Sequence, residues 1–288
     1  MRVGFIGAGK VGTAYGSYLK SHGISVEGYY SKTMDSAAKA AVQTGSKAYS
    51  NIENLVADTD LIFITTNDDQ IEAVCNSVSK CEALDSRHIV AHMSGALPSD
   101  ILGSAAEKGC CTYSVHPLIS IADSGFDGMF DNAVFFIEGN NKSLSTITGL
   151  VSRTNNKYHI ISPEKKALYH ASACIASNYL VTVADTALSC LEDIGINHSD
   201  GIEALMPLIK STIENIGRLG TASALTGPIA RGDAKTVSRH IEAFGSNKSN
   251  IARLYSFLGI HTLELAKQKK LKDTEKITAL EKLLRGGE

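Results

Sequence analysis

No C-x-x-C pair occurs among the six cysteines, at 75, 81, 110, 111, 174 and 190, so the chain encodes neither a zinc ribbon nor a dithiol redox centre. No metal site is expected. No signal peptide precedes Met1-Arg2-Val3, and a cytoplasmic protein with reduced thiols is the expectation. Charge of one sign is scarce too: 28 Lys and Arg against 30 Asp and Glu leave a formal charge of −2, giving no reason to expect nucleic acid or an anionic membrane as partner. No longer apolar run is free of polar breaks, so no membrane-spanning helix is expected.

With 288 residues the chain exceeds one typical domain and suggests two. Its most informative feature is Gly7-Ala8-Gly9-Lys10-Val11-Gly12, which follows the apolar run Val3-Gly4-Phe5-Ile6 and opens a helix reaching Leu19. Gly7 permits the tight turn, Gly9 the close approach of a pyrophosphate, and Gly12 the packing of helix on strand. The helix start adds N–H groups and a positive dipole end. A second strand at Ser25–Tyr30 ends in Ser31-Lys32-Thr33, where an NAD site usually carries an acid. Two hydroxyls and a cation suit a 2′-phosphate, and the reading favours NADP.

Strands and helices alternate onward. Helices are expected at 35–43, 51–57, 69–79 and 98–108, and strands at 60–66, 88–93, 111–115 and 133–138, the last completing the set. This is an α/β chain with a doubly wound Rossmann sheet over residues 1–161. The pattern changes at Ser162-Pro163, a cap and first turn for one helix of about 32 residues. Between Ala171 and Leu191 its only charged residue is Asp185, so it should be covered on nearly all sides, by neighbouring helices, the nucleotide domain or a second subunit. Helices at 205–218, 234–244, 250–267 and 273–284 complete an all-helical domain over 162–288. Its loops should close over the nicotinamide end of the cofactor.

In an open α/β sheet, ligands lie beyond the carboxyl ends of the strands. Thr66 and Asn67, then Ser94 and Gly95, stand there as cofactor contacts, although Ser and Asn serve equally as caps. His116 follows the next strand as a substrate contact. On the long helix His170, Cys174 and Ser177 share a stripe with Asn178 at its edge; His170 could donate a proton and Asn178 anchor a substrate, or both could satisfy buried groups. In Leu225-Thr226-Gly227-Pro228-Ile229-Ala230-Arg231-Gly232-Asp233, Arg231 and Thr226 could hold a substrate carboxylate, or Arg231 could pair with Asp233 and fix the loop.

The glycine motif, Tyr30-Ser31-Lys32-Thr33, His92-Met93-Ser94-Gly95-Ala96, His116-Pro117-Leu118, Tyr169-His170-Ala171-Ser172 with Asn178-Tyr179, and the Leu225–Asp233 segment together resemble one family. It is the Rossmann-like proteins with a DUF2520 domain, similar in architecture to ketopantoate reductases, pyrroline-5-carboxylate reductases and 6-phosphogluconate dehydrogenases. The resemblance implies NADP(H) binding, a helical domain forming a homodimer, and reduction of a small keto acid, ketopantoate foremost. An imine reductase, a deazaflavin-linked NADP oxidoreductase and a non-catalytic NADP sensor are the alternatives. Two departures stand out: Thr66-Asn67 occupies the place of a Val-Pro pair common in related dehydrogenases, and the lysine donor of conventional ketopantoate reductases has no clear equivalent. His170 lies in that region, with Lys165 and Lys166 one turn earlier.

Overall fold

The computed structural model describes residues 1–121, 128–245 and 249–286. These form two compact units, Met1–Tyr179 and Leu180–Glu288.

The first unit is built on eight strands. In chain order they are β1 (Arg2–Ile6), β2 (Ser25–Tyr30), β3 (Lys47–Tyr49), β4 (Leu61–Ile64), β5 (Ile89–His92), β6 (Cys111–Pro117), β7 (Val134–Gly139) and β8 (Lys157–Ile160). They lie side by side as β3-β2-β1-β4-β5-β6-β7-β8. The first six are mutually parallel, β7 is antiparallel to β6, and β8 runs with β7. Helices α1 (Lys10–Ser21), α2 (Met34–Thr44), α3 (Ile52–Asp58), α4 (Ile71–Val78), α5 (Gly103–Glu107) and α6 (Leu144–Arg153) connect them. Strand alternation splits the interior into two layers. Phe5, Phe63, Tyr113 and Val115 face a core with Tyr15, Leu19 and Leu150, whereas Ile6, Ile62, Ile64 and Val90 face one with Leu55, Cys75 and Leu102. Aromatic stacking tightens the first, with Phe5 5.2 Å from Tyr29 and 5.6 Å from Phe63 between ring centroids.

The strand set does not end at residue 138. β3 has three residues, and β8 reads Lys-Tyr-His-Ile with every residue exposed. An edge strand without a buried face leaves no hydrophobic period to detect. Nor is the segment after Pro163 one helix: α7 (Lys166–Ala176) ends at Ser177 and α8 (Asn178–Asp193) begins anew. α7 stays with the first unit because Lys166 and Tyr169 are buried there, which carries the division from 161/162, where the sequence pattern changes, to 179/180.

Within Pro163–Asp193 an 18-residue stretch reaches a mean hydropathy of 1.3, long and apolar enough by composition to cross a membrane, contrary to the expectation that no stretch would. The segment is interrupted at Ser177, and its first turns, with Lys166 and Tyr169 buried, pack on the sheet. Among the described residues the expected cover is not seen: Leu168, Ile175 and Val181 are 76%, 62% and 69% exposed. The second unit continues with α9 (His198–Leu219), α10 (Thr221–Ala224), α11 (Pro228–Arg231), α12 (Ala234–Phe244), α13 (Ser249–Lys269) and α14 (Thr274–Arg285). Ile229, Val237, Leu263, Ala266, Leu280 and Leu284 form its core.

Candidate functional site

Because β1, β2, β4, β5 and β6 run parallel, the residues after them gather along one edge. Between β1 and β4 the chain order reverses, leaving the crevice that such sheets use for ligands. Gly7 stands there with φ +108°, and a Cβ on it would lie 2.7 Å from the Thr65 carbonyl carbon. A Cβ at Gly12 would meet Thr65 Oγ1 at 2.4 Å and the Gly7 carbonyl oxygen at 2.5 Å. Gly9, by contrast, has open space where its side chain would be, and it caps α1 without a side-chain hydrogen bond to the first-turn amides. Two glycines therefore close the turn and one leaves it open. Ala8, Lys10 and Val11 complete it. Thr66 Oγ1, buried and without a hydrogen-bond partner, lies next in sequence to Thr65 on the strand edge facing the turn. Open space at a helix N-terminus and an orphan hydroxyl fit a pyrophosphate and its ribose.

At the end of β2, Ser31 is half-buried and Lys32 exposed. Thr33 is committed elsewhere: its hydroxyl caps α2, accepting from the Ser36 amide and donating to Ser36 Oγ at 2.8 Å. One of the two expected hydroxyls thus holds a helix start. Asn67, exposed, precedes a single turn at Asp68–Gln70 without capping it through its side chain. Ser94 is also occupied. Its hydroxyl donates to Asp68 at 2.7 Å and accepts from the Ala96 and Leu97 amides, tying the loop after β5 to the loop after β4. His92 supports that loop: its Nδ1 accepts the Ser94 amide, so Nε2 carries the proton and donates to the Pro98 carbonyl. Burial pushes His92 down to about 4.

The chemistry concentrates around Gly95. A Cβ there would stand 2.7 Å from His170 Cδ2 and 2.9 Å from both Cε1 and Nε2 of His116. The two imidazoles, 6.5 Å apart between centroids, converge on one glycine. A cavity of about 500 Å³ opens beside them, lined by Leu118, Ile119, Cys174, Ser177 and Asn178 as well as both histidines. Although the helix breaks at Ser177, the stripe expected on it faces a single space. Cys174 Sγ lies 4.0 Å from His170 Nδ1.

Beneath the cavity is a residue that helix periodicity could not single out. Lys166, 1% exposed, donates to Ser114 Oγ, which donates to the Ser94 carbonyl at 3.2 Å. Burial lowers its ammonium to about 8 against the attraction of Glu138 and Asp68. Glu138 itself is buried, accepting from the amide and hydroxyl of Ser99. Two lysines at the start of a helix look like solvated charge in sequence, and only α7 lying over β6 buries one of them. Tyr169 was missed likewise; its hydroxyl lies 2.6 Å from His116 Nδ1.

Thr226 and Arg231 are not among the residues lining this cavity. They line another, within the second unit, with Lys270, Lys272 and Lys276. Asp233 uses its carboxylate on the Thr236 amide and hydroxyl, capping α12, and among the described residues Arg231 forms no ion pair with it.

Residues 1–117 match the Rossmann-like domain family, and residues 133–262 match the domain of unknown function DUF2520. The two matches follow one another along the chain in that order. No curated protein matches it. Among solved structures, a protein from Thermotoga maritima is 25% identical, with 93% of this chain and 100% of that one covered at a TM-score of 0.73. A pyrroline carboxylate reductase from Plasmodium falciparum with NADP bound is 15% identical, covering 92% and 98% at 0.60. A reductive aminase from Aspergillus terreus in complex with NADPH is 13% identical, covering 99% and 92% at 0.61. The last two share the fold of this chain.

Proposed function

We propose that this protein is an NADPH-dependent oxidoreductase that reduces a small 2-keto acid, with ketopantoate to pantoate, a step of pantothenate biosynthesis, as the preferred reaction. The observation that carries the reading is the convergence of His116 and His170 on Gly95, at the sheet edge that also bears the Gly7–Gly12 turn. Two of the solved structures with this fold hold NADP or NADPH, which supports the choice of cofactor. Gly7, Gly9, Gly12 and the start of α1 would hold the pyrophosphate, Ser31 and Lys32 the 2′-phosphate, and Thr66 a ribose hydroxyl. The bound nicotinamide supplies a hydride.

The rest of the reaction falls to the chain's own side chains. His170 delivers the proton that a reduced carbonyl oxygen requires, and Asn178 anchors the substrate in the same cavity. His116, whose ring converges with that of His170 on Gly95, contacts the substrate in the same cavity. Thr226 and Arg231 would receive a substrate carboxylate, in a separate cavity lined also by Lys270, Lys272 and Lys276 and by one carboxylate, Asp273. A second copy of the chain would cover exposed apolar residues of the helical unit such as Val181 and Leu208, 69% and 63% exposed, making a homodimer in the cytoplasm.

The test is a panel of small keto acids and cyclic imines offered with NADPH and followed by its absorbance. Oxidation with ketopantoate is expected. No oxidation with any keto acid would refute the reading, and turnover confined to pyrroline-5-carboxylate would replace it with imine reduction, the activity of one structural relative.

A further inference from the structure

His116 is gripped from one side and open on the other. Strand alternation puts Ser114 and His116 on one face of β6, and the antiparallel register brings Glu138 and Phe136 beside them on β7. α7 crosses this face with Lys166 against Ser114 and Tyr169 against His116. Tyr169 cannot swing away, because its ring stacks on Phe136 with centroids 4.1 Å apart and planes 27° apart. Its hydroxyl therefore meets Nδ1 of His116, while Nε2 faces Gly95.

Which atom holds the shared proton follows from acid strength. A phenol is a far stronger acid than a neutral imidazole N–H, and an imidazole lone pair is a far better acceptor than a phenol oxygen, so O–H···N is favoured over N–H···O. Burial raises Tyr169, keeping its proton on oxygen. Burial, aided by Lys166, His170 and His92, lowers His116 to about 4, so the ring is neutral near neutral pH.

We propose that Tyr169 is a positioning residue that locks His116 as the Nε2–H tautomer. The site then presents a neutral hydrogen-bond donor beside His170 and selects a ligand bearing an oxygen acceptor, a carbonyl or carboxylate, over a protonated imine. This sharpens the keto acid reading and rests on it. An iminium is a cation whose N–H needs an acceptor, and among the described residues lining the cavity there is no carboxylate to receive it.

Nitrogen-15 correlation spectra of the imidazoles in the whole protein test this at neutral pH. For His116, a pyridine-like Nδ1 and a protonated Nε2 are expected, becoming a mixture of tautomers in Tyr169→Phe while the backbone spectrum stays folded. In the NADPH-saturated protein, 2-oxobutanoate should shift the Nε2–H signal and 1-pyrroline should not. Tyr169→Phe should lower kcat for the keto acid about tenfold, the worth of one hydrogen bond, with the KM for NADPH unchanged. A protonated Nδ1, an imidazolium, a tautomer indifferent to Tyr169, or a larger response to 1-pyrroline would each overturn the proposal. The cofactor reading is judged separately, by whether NADPH shifts the amides of Gly9 and Gly12. The tautomer is read with neither cofactor nor substrate present.

Discussion

Replacing Lys166 by methionine should stabilise the first unit, although it removes a hydrogen bond. The ammonium sits 1% exposed and is lowered from 10.5 to about 8, so holding its charge in the fold costs 2.5 × 1.36, or about 3 kcal/mol, relative to water. The attraction of Glu138 and Asp68 is already inside that figure. Losing the bond to Ser114 returns about 1 kcal/mol, and methionine has nearly the same volume, leaving a net gain of about 2 kcal/mol at neutral pH. The gain should depend on pH with a definite sign. Between about 8 and 10.5 the unfolded chain keeps the lysine proton while the folded one has lost it. The wild type therefore gains stability as pH rises through that window, by up to about 1.4 kcal/mol per unit. The variant's advantage should be full below pH 8 and should close towards 10.5. Thermal denaturation of both proteins across this range measures the gap, and carbon-13 labelling of the lysine ε-carbons reads the titration directly. A variant less stable than wild type by a margin that does not move with pH, or a Lys166 titrating at its ordinary value, would refute the reasoning.

The glycine turn offers a contrast between fold and ligand. Gly12→Ala forces a Cβ into Thr65 and Gly7 and should cost about 1–3 kcal/mol in a melting experiment, whereas Gly9→Ala meets nothing and should keep the melting temperature while weakening NADPH in calorimetry. Lys32→Ala should weaken NADPH about tenfold and NADH much less, by fluorescence titration; equal losses would remove the argument for a 2′-phosphate. His170→Ala should lower turnover by about 10²–10⁴ with NADPH affinity unchanged if it donates the proton. Unchanged turnover would make it a packing residue.

What the sequence alone determined is everything governed by local period and special backbone. The glycine turn, the parallel strands β1, β2, β4, β5 and β6 and the helical second half follow from apolar spacing and from residues that only certain conformations accept, whereas the three-residue β3 left no such signal. The stripe of His170, Cys174, Ser177 and Asn178 was visible for the same reason, since neighbours on a helix keep their angular spacing whatever they pack against. Tertiary structure decided the rest. β8 has no buried face to leave a signature, and Ser177 interrupts a segment in which no glycine or proline marks a break. Ser94 and Thr33 could equally cap or bind, and only the placement of Asp68 and Ser36 commits them. Lys166 and Tyr169 acquire their chemistry solely from lying over Ser114 and His116, more than fifty residues away in sequence. A lysine's charge becomes informative once something excludes water from it, and no local pattern records which neighbour will do so.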